Sequence, residues 1–158
     1  MSAITFQRIP TKQAVRSELV RMIYVGPDDH FRIPILKRAG YSVDQCKSAC
    51  QLHAALRDIA SPPDAVVIVE KKRIDPRAAM FLTRSTSAAA LVLFQSADHT
   101  YDESGFDFVV PVLPSVDEWL GGIATLIERR RSDRDRTQGR LSSVWQPAER
   151  ISRLSRVG

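Results

Sequence analysis

The chain has 158 residues, 44% hydrophobic and 26% charged, which is the balance of a chain that folds around one packed core. Its seven glycines and nine prolines exclude collagen-like or linker-dominated chains, and no apolar run approaches the roughly 20 residues that cross a bilayer. The formal charge is +5, but residues 1–128 carry 14 Lys and Arg against 15 Asp and Glu, whereas residues 129–158 carry nine against three; the basic excess belongs to the C-terminal segment alone.

Residues 1–18 form an N-terminal extension in which 11–19 suit a helix packed on the body. Residues 1–10 lack the apolar core and small-residue cleavage site of a secretory signal, and two cysteines fit a reducing compartment, so a soluble cytoplasmic protein is expected. Residues 21–26 (RMIYVG) read as a buried strand, apolar and closed by Gly-Pro. Phe31, Ile35, Leu36 and Ala39 then form a helical stripe that stops at Gly40, with Pro34 limiting where the helix can start. Residues 41–46 (YSVDQC) are short and alternating, as suits a sheet edge, and Ala49, Leu52, Leu56 and Ile59 mark a second helix before Pro62-Pro63. Residues 64–70 (DAVVIVE) make a continuous apolar strand; a third helix starts at Pro76 and runs through Ala79, Met80 and Leu82. Residues 89–95 (AALVLFQ) and 106–112 (FDFVVPV) repeat the strand pattern. Ser115 with Glu118 three residues on is a capping box for a final helix carrying Trp119, Leu120, Ile123, Leu126 and Ile127. Inside it, Gly121-Gly122 reads as a close-packing point.

After Glu128 the sequence RRRSDRDRTQGR is poor in apolar residues and reads as a solvated linker or helix extension, followed by a weak amphipathic segment with Trp145, Ile151, Leu154 and Val157. The chain therefore divides into an extension at 1–18, a body at 19–128 and an arginine-rich tail at 129–158.

Alternating β and α patterns predict an α/β fold with a parallel sheet covered on both faces. The β-α-β-α-β-α-β-β-α order resembles the receiver domain of bacterial response regulators. Residues 22–25 look like its first strand, 39–43 like the turn into its second, 63–68 like the approach to its phosphorylated aspartate, Ile74-Asp75-Pro76 like its Met-Asp-Gly turn, and 115–120 like the start of its last helix. The resemblance implies a flavodoxin-like, doubly wound, five-stranded parallel sheet. Only nine residues separate Ser96 from Phe106, so the fourth helix is expected to be shortened or missing.

The family's chemistry uses an acidic pair for Mg²⁺, a nucleophilic Asp, a Ser or Thr and a Lys. Carried onto this chain, Gly26 and Pro27 stand at the acidic pair, Val69 at the nucleophile, Ser96 at the hydroxyl and Val112 at the lysine. Asp28 and Asp29 lie one turn late, and their simpler role is to cap a helix start; Glu70 lies one past the nucleophile position. Glu70 either imitates a permanently charged phospho-aspartate or, since a one-residue shift changes the face of a strand, caps the strand and pairs with Lys71 or Lys72.

Other chemistry is sparse. Cys46 and Cys50 have i, i+4 spacing but no partner pair to complete a zinc set, and they read as buried thiols. His30, His53 and His99 are scattered, and no phosphate loop, nucleophile elbow or dinucleotide fingerprint occurs. The expectation is a non-enzymatic, receiver-like module without metal or cofactor, working through a protein partner. A homodimer and nucleic acid bound through Arg129, Arg130, Arg131, Arg134, Arg136 and Arg140 stay open as further contacts. Three alternatives stand beside it: a phosphorylatable regulator with an acidic site displaced to Asp28, Asp29 and Glu70 or Asp75; a nucleic-acid adaptor driven by the tail; and a small α/β enzyme or ligand-binding domain with its pocket near Pro27, Asp28, Glu70 and Ser96.

Overall fold

A computed structural model describes residues 19–71, 74–99 and 102–144, with side chains through residue 141. The expected helix at 11–19 and the amphipathic segment at 145–157 lie outside these residues, apart from Leu19. Five strands, β1 (Arg21–Val25), β2 (Ser42–Cys46), β3 (Ala65–Val69), β4 (Ala90–Phe94) and β5 (Phe108–Val110), form one all-parallel sheet in the order β2-β1-β3-β4-β5. Burial follows that order. The inner strands β3 and β4 are buried at every position, whereas edge strand β2 is buried only at Val43 and Cys46, because only strands covered on both faces lose all their water.

Helices α1 (Arg32–Arg38), α2 (Ala49–Leu56), α3 (Pro76–Thr86) and α4 (Val116–Val144) divide between the two faces. Met22, Tyr24, Val67, Val92 and Phe94 pack under Leu36 of α1 and Trp119, Ile123 and Ile127 of α4. Ile23, Val25, Ile68, Leu91 and Leu93 pack under Leu52 of α2 and Met80 of α3. Both faces therefore hold a core, each fully buried large aliphatic side chain contributing about 1.5–3 kcal/mol. Among the described residues no helix joins β4 to β5.

Boundaries differ from expectation at two places. Helix α2 ends at Leu56, leaving Ile59 outside it and 93% exposed. Strand β5 stops at Val110, since Pro111 has no N–H for the ladder. Of the two readings of the segment after Glu128, the helix extension is the one formed: α4 continues to Val144. The capping box at its start forms in full: the Ser115 hydroxyl accepts the Glu118 N–H at 3.2 Å, and the Glu118 carboxylate accepts the Ser115 N–H at 3.3 Å.

Two acids at the amino ends of the strands hold α4 as it leaves the sheet. Asp107 accepts the Leu91 N–H at 2.8 Å and pairs with Arg130 at 2.7 Å and Arg84 at 3.1 Å. Asp64 accepts the Arg21 N–H at 3.1 Å and lies 3.8 and 3.9 Å from Arg131 and Arg134. No helix among the described residues is long and apolar enough to cross a membrane.

The glycine pair in α4 separates by environment. A Cβ on Gly122 would overlap the Phe108 ring, whereas a Cβ on Gly121 meets open space. Gly122→Ala is predicted to destabilise the protein by about 1–3 kcal/mol through overpacking, and Gly121→Ala to stabilise it by about 0.5–1 kcal/mol through helix propensity; urea denaturation of both variants checks the opposite signs.

Asp107 supplies a pH test. Burial alone would raise its carboxyl, but the Leu91 amide, Arg84 and Arg130 outweigh it and the net direction is down. A carboxyl held below its unfolded value adds stability that is present above the unfolded pKa and is lost as pH falls through the folded one. Asp107→Asn is predicted to cost about 1 kcal/mol at neutral pH and to flatten the acid limb of stability below about pH 4, measured by denaturation across pH.

Candidate functional site at the carboxyl end of the sheet

The strand order reverses on either side of β1, and in open α/β sheets ligands bind beyond the carboxyl ends of strands at such a switch point. The residues at this rim decide what chemistry is available. Gly26, which follows β1, has φ +126°, a region that disfavours side chains, and a Cβ there would lie 3.2 Å from the Val69 Cβ and 3.6 Å from Ile74 Cδ1. The backbone at the acidic-pair position thus packs directly on the side chain at the nucleophile position. Neither Gly26 nor Val69 offers an oxygen ligand from a side chain, and Pro27 adds none.

The displaced acids are occupied elsewhere. Asp28 accepts the N–H groups of Arg32 and Ile33 at 2.8 and 3.1 Å, which caps α1 from outside because Phe31, in the capping position, bonds nothing with its side chain. Asp29 pairs with Lys71, whose hydrogen bond is the main reason that its carboxyl is held below the ordinary range. Asp75 accepts the Arg77 N–H at 3.0 Å and caps α3. These carboxylates point at separate partners, and no group of three His, Cys, Asp or Glu side chains that could hold a metal ion occurs among the described residues. The Mg²⁺ cradle of the resembled family does not fit this donor set.

Of the two lysines expected to pair with Glu70, Lys71 goes elsewhere. Glu70 is 4% exposed, and its carboxylate accepts the Ser96 N–H at 3.0 Å and lies 2.8 Å from Nδ1 of His99, while Lys71 goes to Asp29; Lys72 lies outside the described residues. The physical reason is the pleat: Val69 faces the α1/α4 core, so the next side chain turns the other way, toward the β4–β5 connection. The described residues of that connection are pinned instead of helical. Arg77 pairs with Asp102 at 2.9 Å, Arg84 donates to the Gly105 carbonyl at 2.9 Å, and Gln95 donates to Glu103.

Beside this cluster a cavity of ≈ 390 Å³ opens between α1, the end of β4 and the β5–α4 loop, lined among others by His30, Arg32, Ser96, Val112, Leu113 and Trp119. Of the rim residues proposed from sequence for a ligand pocket, only Ser96 lines it; Val112, at the lysine position, forms part of its wall. The Arg32 guanidinium lies 4.1 Å above the Phe94 ring, and Trp119 meets Phe94 edge-on at 5.4 Å. Tyr24 is fully buried under them, with Arg32 and Asp28 beside its hydroxyl, and burial pushes its pKa up despite nearby Arg32. Phe31 and Leu113, both exposed, hold left-handed backbone at φ 54° and 63°.

The remaining sequence candidates scatter. Cys46 is buried at the end of β2, but Cys50 is exposed on α2, so only one of the two is the interior thiol expected; α2 starts at Ala49, and the pair does not share a helix. In the arginine run, Arg130, Arg131 and Arg134 pair with Asp107 and Asp64, as a helix extension and not a solvated linker, while Arg129, Arg136 and Arg140 are exposed on α4.

No protein-family model and no curated relative matches the sequence. Solved structures do match. A structure described as adenylate cyclase from Rhodopirellula baltica superposes with a TM-score of 0.62 at 13% identity, covering 76% of this chain and 96% of that one. The signal receiver domain of an HD domain-containing protein from Pseudomonas fluorescens Pf-5 gives 0.61 at 13% identity over 78% and 97%. The fold is that of a receiver domain. A complex of the histidine kinase ThkA with the response regulator TrrA gives 0.52 at 18% identity over 68% and 98%. At these identities the receiver likeness is one of fold, and the expected flavodoxin-like sheet without a regular fourth helix is what the chain forms.

The Glu70 cluster is testable by stability. Glu70→Ala leaves the Ser96 N–H without its carboxylate and is predicted to cost about 2 kcal/mol, with faster hydrogen exchange at the Ser96 amide; Glu70→Gln, which keeps an acceptor, is predicted to cost less.

Proposed function

We propose that this protein is a receiver-like signalling module of the two-component type that acts by binding a protein partner, without aspartyl phosphorylation and without catalysis. The observation that carries this reading is the contact of Gly26 with Val69 and Ile74: the place where receiver chemistry needs three carboxylates is an apolar contact between backbone and side chain. Val112 in place of the lysine removes the cation that would neutralise an acyl-phosphate. The nearby acids Asp28, Asp29 and Glu70 each have another partner, which weighs against a displaced site.

Glu70 also gives the module a fixed state. Its carboxylate reaches from the end of β3 to the amide of the residue at the hydroxyl position, so the link between β3 and β4 that a reversible charge would make is built into the sequence. The partner is a protein. Support comes from the TrrA regulator, which is bound to a histidine kinase in its structure, and from Phe31, Leu113 and Val116, large apolar side chains exposed at the rim. The tail arginines are a secondary contact; ion pairing of Arg130, Arg131 and Arg134 with the body weighs against a nucleic-acid adaptor.

Incubation with acetyl phosphate and Mg²⁺ followed by intact-mass analysis is predicted to leave the protein unmodified. A hydroxylamine-sensitive acyl-phosphate would overturn the proposal, and its loss in Asp28→Ala or Asp29→Ala would locate the displaced site.

A further inference from the structure

We propose that the cavity between α1, the end of β4 and the β5–α4 loop binds a small organic anion: a carboxylate or phosphate monoester with a compact apolar body. This goes beyond the signalling role and does not depend on it. At ≈ 390 Å³ the cavity is within the roughly 300–1,000 Å³ of small-molecule sites. One wall carries His30 and Arg32, the other Val112, Leu113, Val116 and Trp119, and no carboxylate lines it.

Arg32 is the anchor. Its guanidinium stacks on Phe94 at 4.1 Å and is half-buried, yet among the described residues it forms no salt bridge. Stacking covers a face of the guanidinium and leaves in-plane N–H donors, the edge that binds carboxylate or phosphate oxygens in pairs. The neighbouring acids do not take that edge: Asp28 receives the α1 amides, Asp29 receives Lys71, Glu70 receives Ser96 and His99, and Glu118 receives Ser115.

A second observation lies beneath Arg32. The Tyr24 hydroxyl is buried and meets no partner at full hydrogen-bond geometry among the described residues, with Arg32 and Asp28 beside it. The walls are set by strained backbone: left-handed Phe31 stands between His30 and Arg32, and left-handed Leu113 forms the apolar side. Each such conformation disfavours a side chain and fixes the spacing of charge and apolar surface before a ligand arrives.

Trp119 reports on the site. The full chain carrying Trp145→Phe, which leaves Trp119 as its sole tryptophan, is titrated with phenyl phosphate, phenylacetate, inorganic phosphate and benzyl alcohol while fluorescence is followed. The expected result is a saturable response to one of the aromatic anions, with affinity at least about tenfold above that for inorganic phosphate and benzyl alcohol. The tighter of the two assigns the head group as phosphate or carboxylate. Arg32→Ala is expected to weaken binding at least about tenfold. Val112→Glu, at a half-exposed position that tolerates a polar side chain, is expected to do the same by placing an acid in the cavity. No saturable response to either aromatic anion, equal binding of benzyl alcohol, or undiminished binding in both variants would overturn the proposal.

Discussion

A carboxylate held out of water has to be bonded, and at the carboxyl end of this sheet Glu70 is bonded across two strands. Its side chain is 4% exposed, accepts the Ser96 N–H and lies 2.8 Å from Nδ1 of His99, so the end of β3, the end of β4 and the β4–β5 connection share one buried carboxyl group. The period-two alternation of a strand sets the rest. Because Glu70 faces the connection, Val69 faces the α1/α4 core, and Gly26 can approach it closely. The polar link and the apolar contact are two consequences of a single register.

The amino end of the sheet has the complementary construction. Asp64 and Asp107 stand where β3 and β5 begin and receive arginines from α4, so the basic run is docked against the body over its first turns. A helix of 29 residues at about 1.5 Å per residue is roughly 43 Å long, far longer than the five-residue strands beneath it, and the remainder projects past the sheet. The acids convert a charge-dense segment, which would be a poor helix by itself, into a continuation of the core helix.

The architecture was legible because it rests on patterns that are local in sequence. Apolar runs at 65–69 and 90–94, the alternation at 42–46 and the Ser115–Glu118 capping box each encode their element within a few residues, and the short interval between Ser96 and Phe106 announced the missing helix. The replacements at Gly26, Val69 and Val112 followed from the same register. What escaped is non-local. His99 is 29 residues from Glu70, Asp64 is about 70 residues from the arginines that it receives, and nothing near Arg32 in sequence points to Phe94 or Tyr24. For α4 the choice between linker and helix extension stayed open because its polar stretch lacks an apolar stripe, and the ion pairs that replace one are tertiary.

The central claim is that the contact of Gly26 with Val69, together with the bonded Glu70, leaves no place for a metal-assisted phosphoryl group. Beryllofluoride, which imitates that group without forming a covalent bond, tests it when added with Mg²⁺ to the ¹⁵N-labelled protein. The account predicts that the amide resonances of Gly26, Val69 and Glu70 show no magnesium-dependent shift; saturable, magnesium-dependent shifts at these three amides would contradict it.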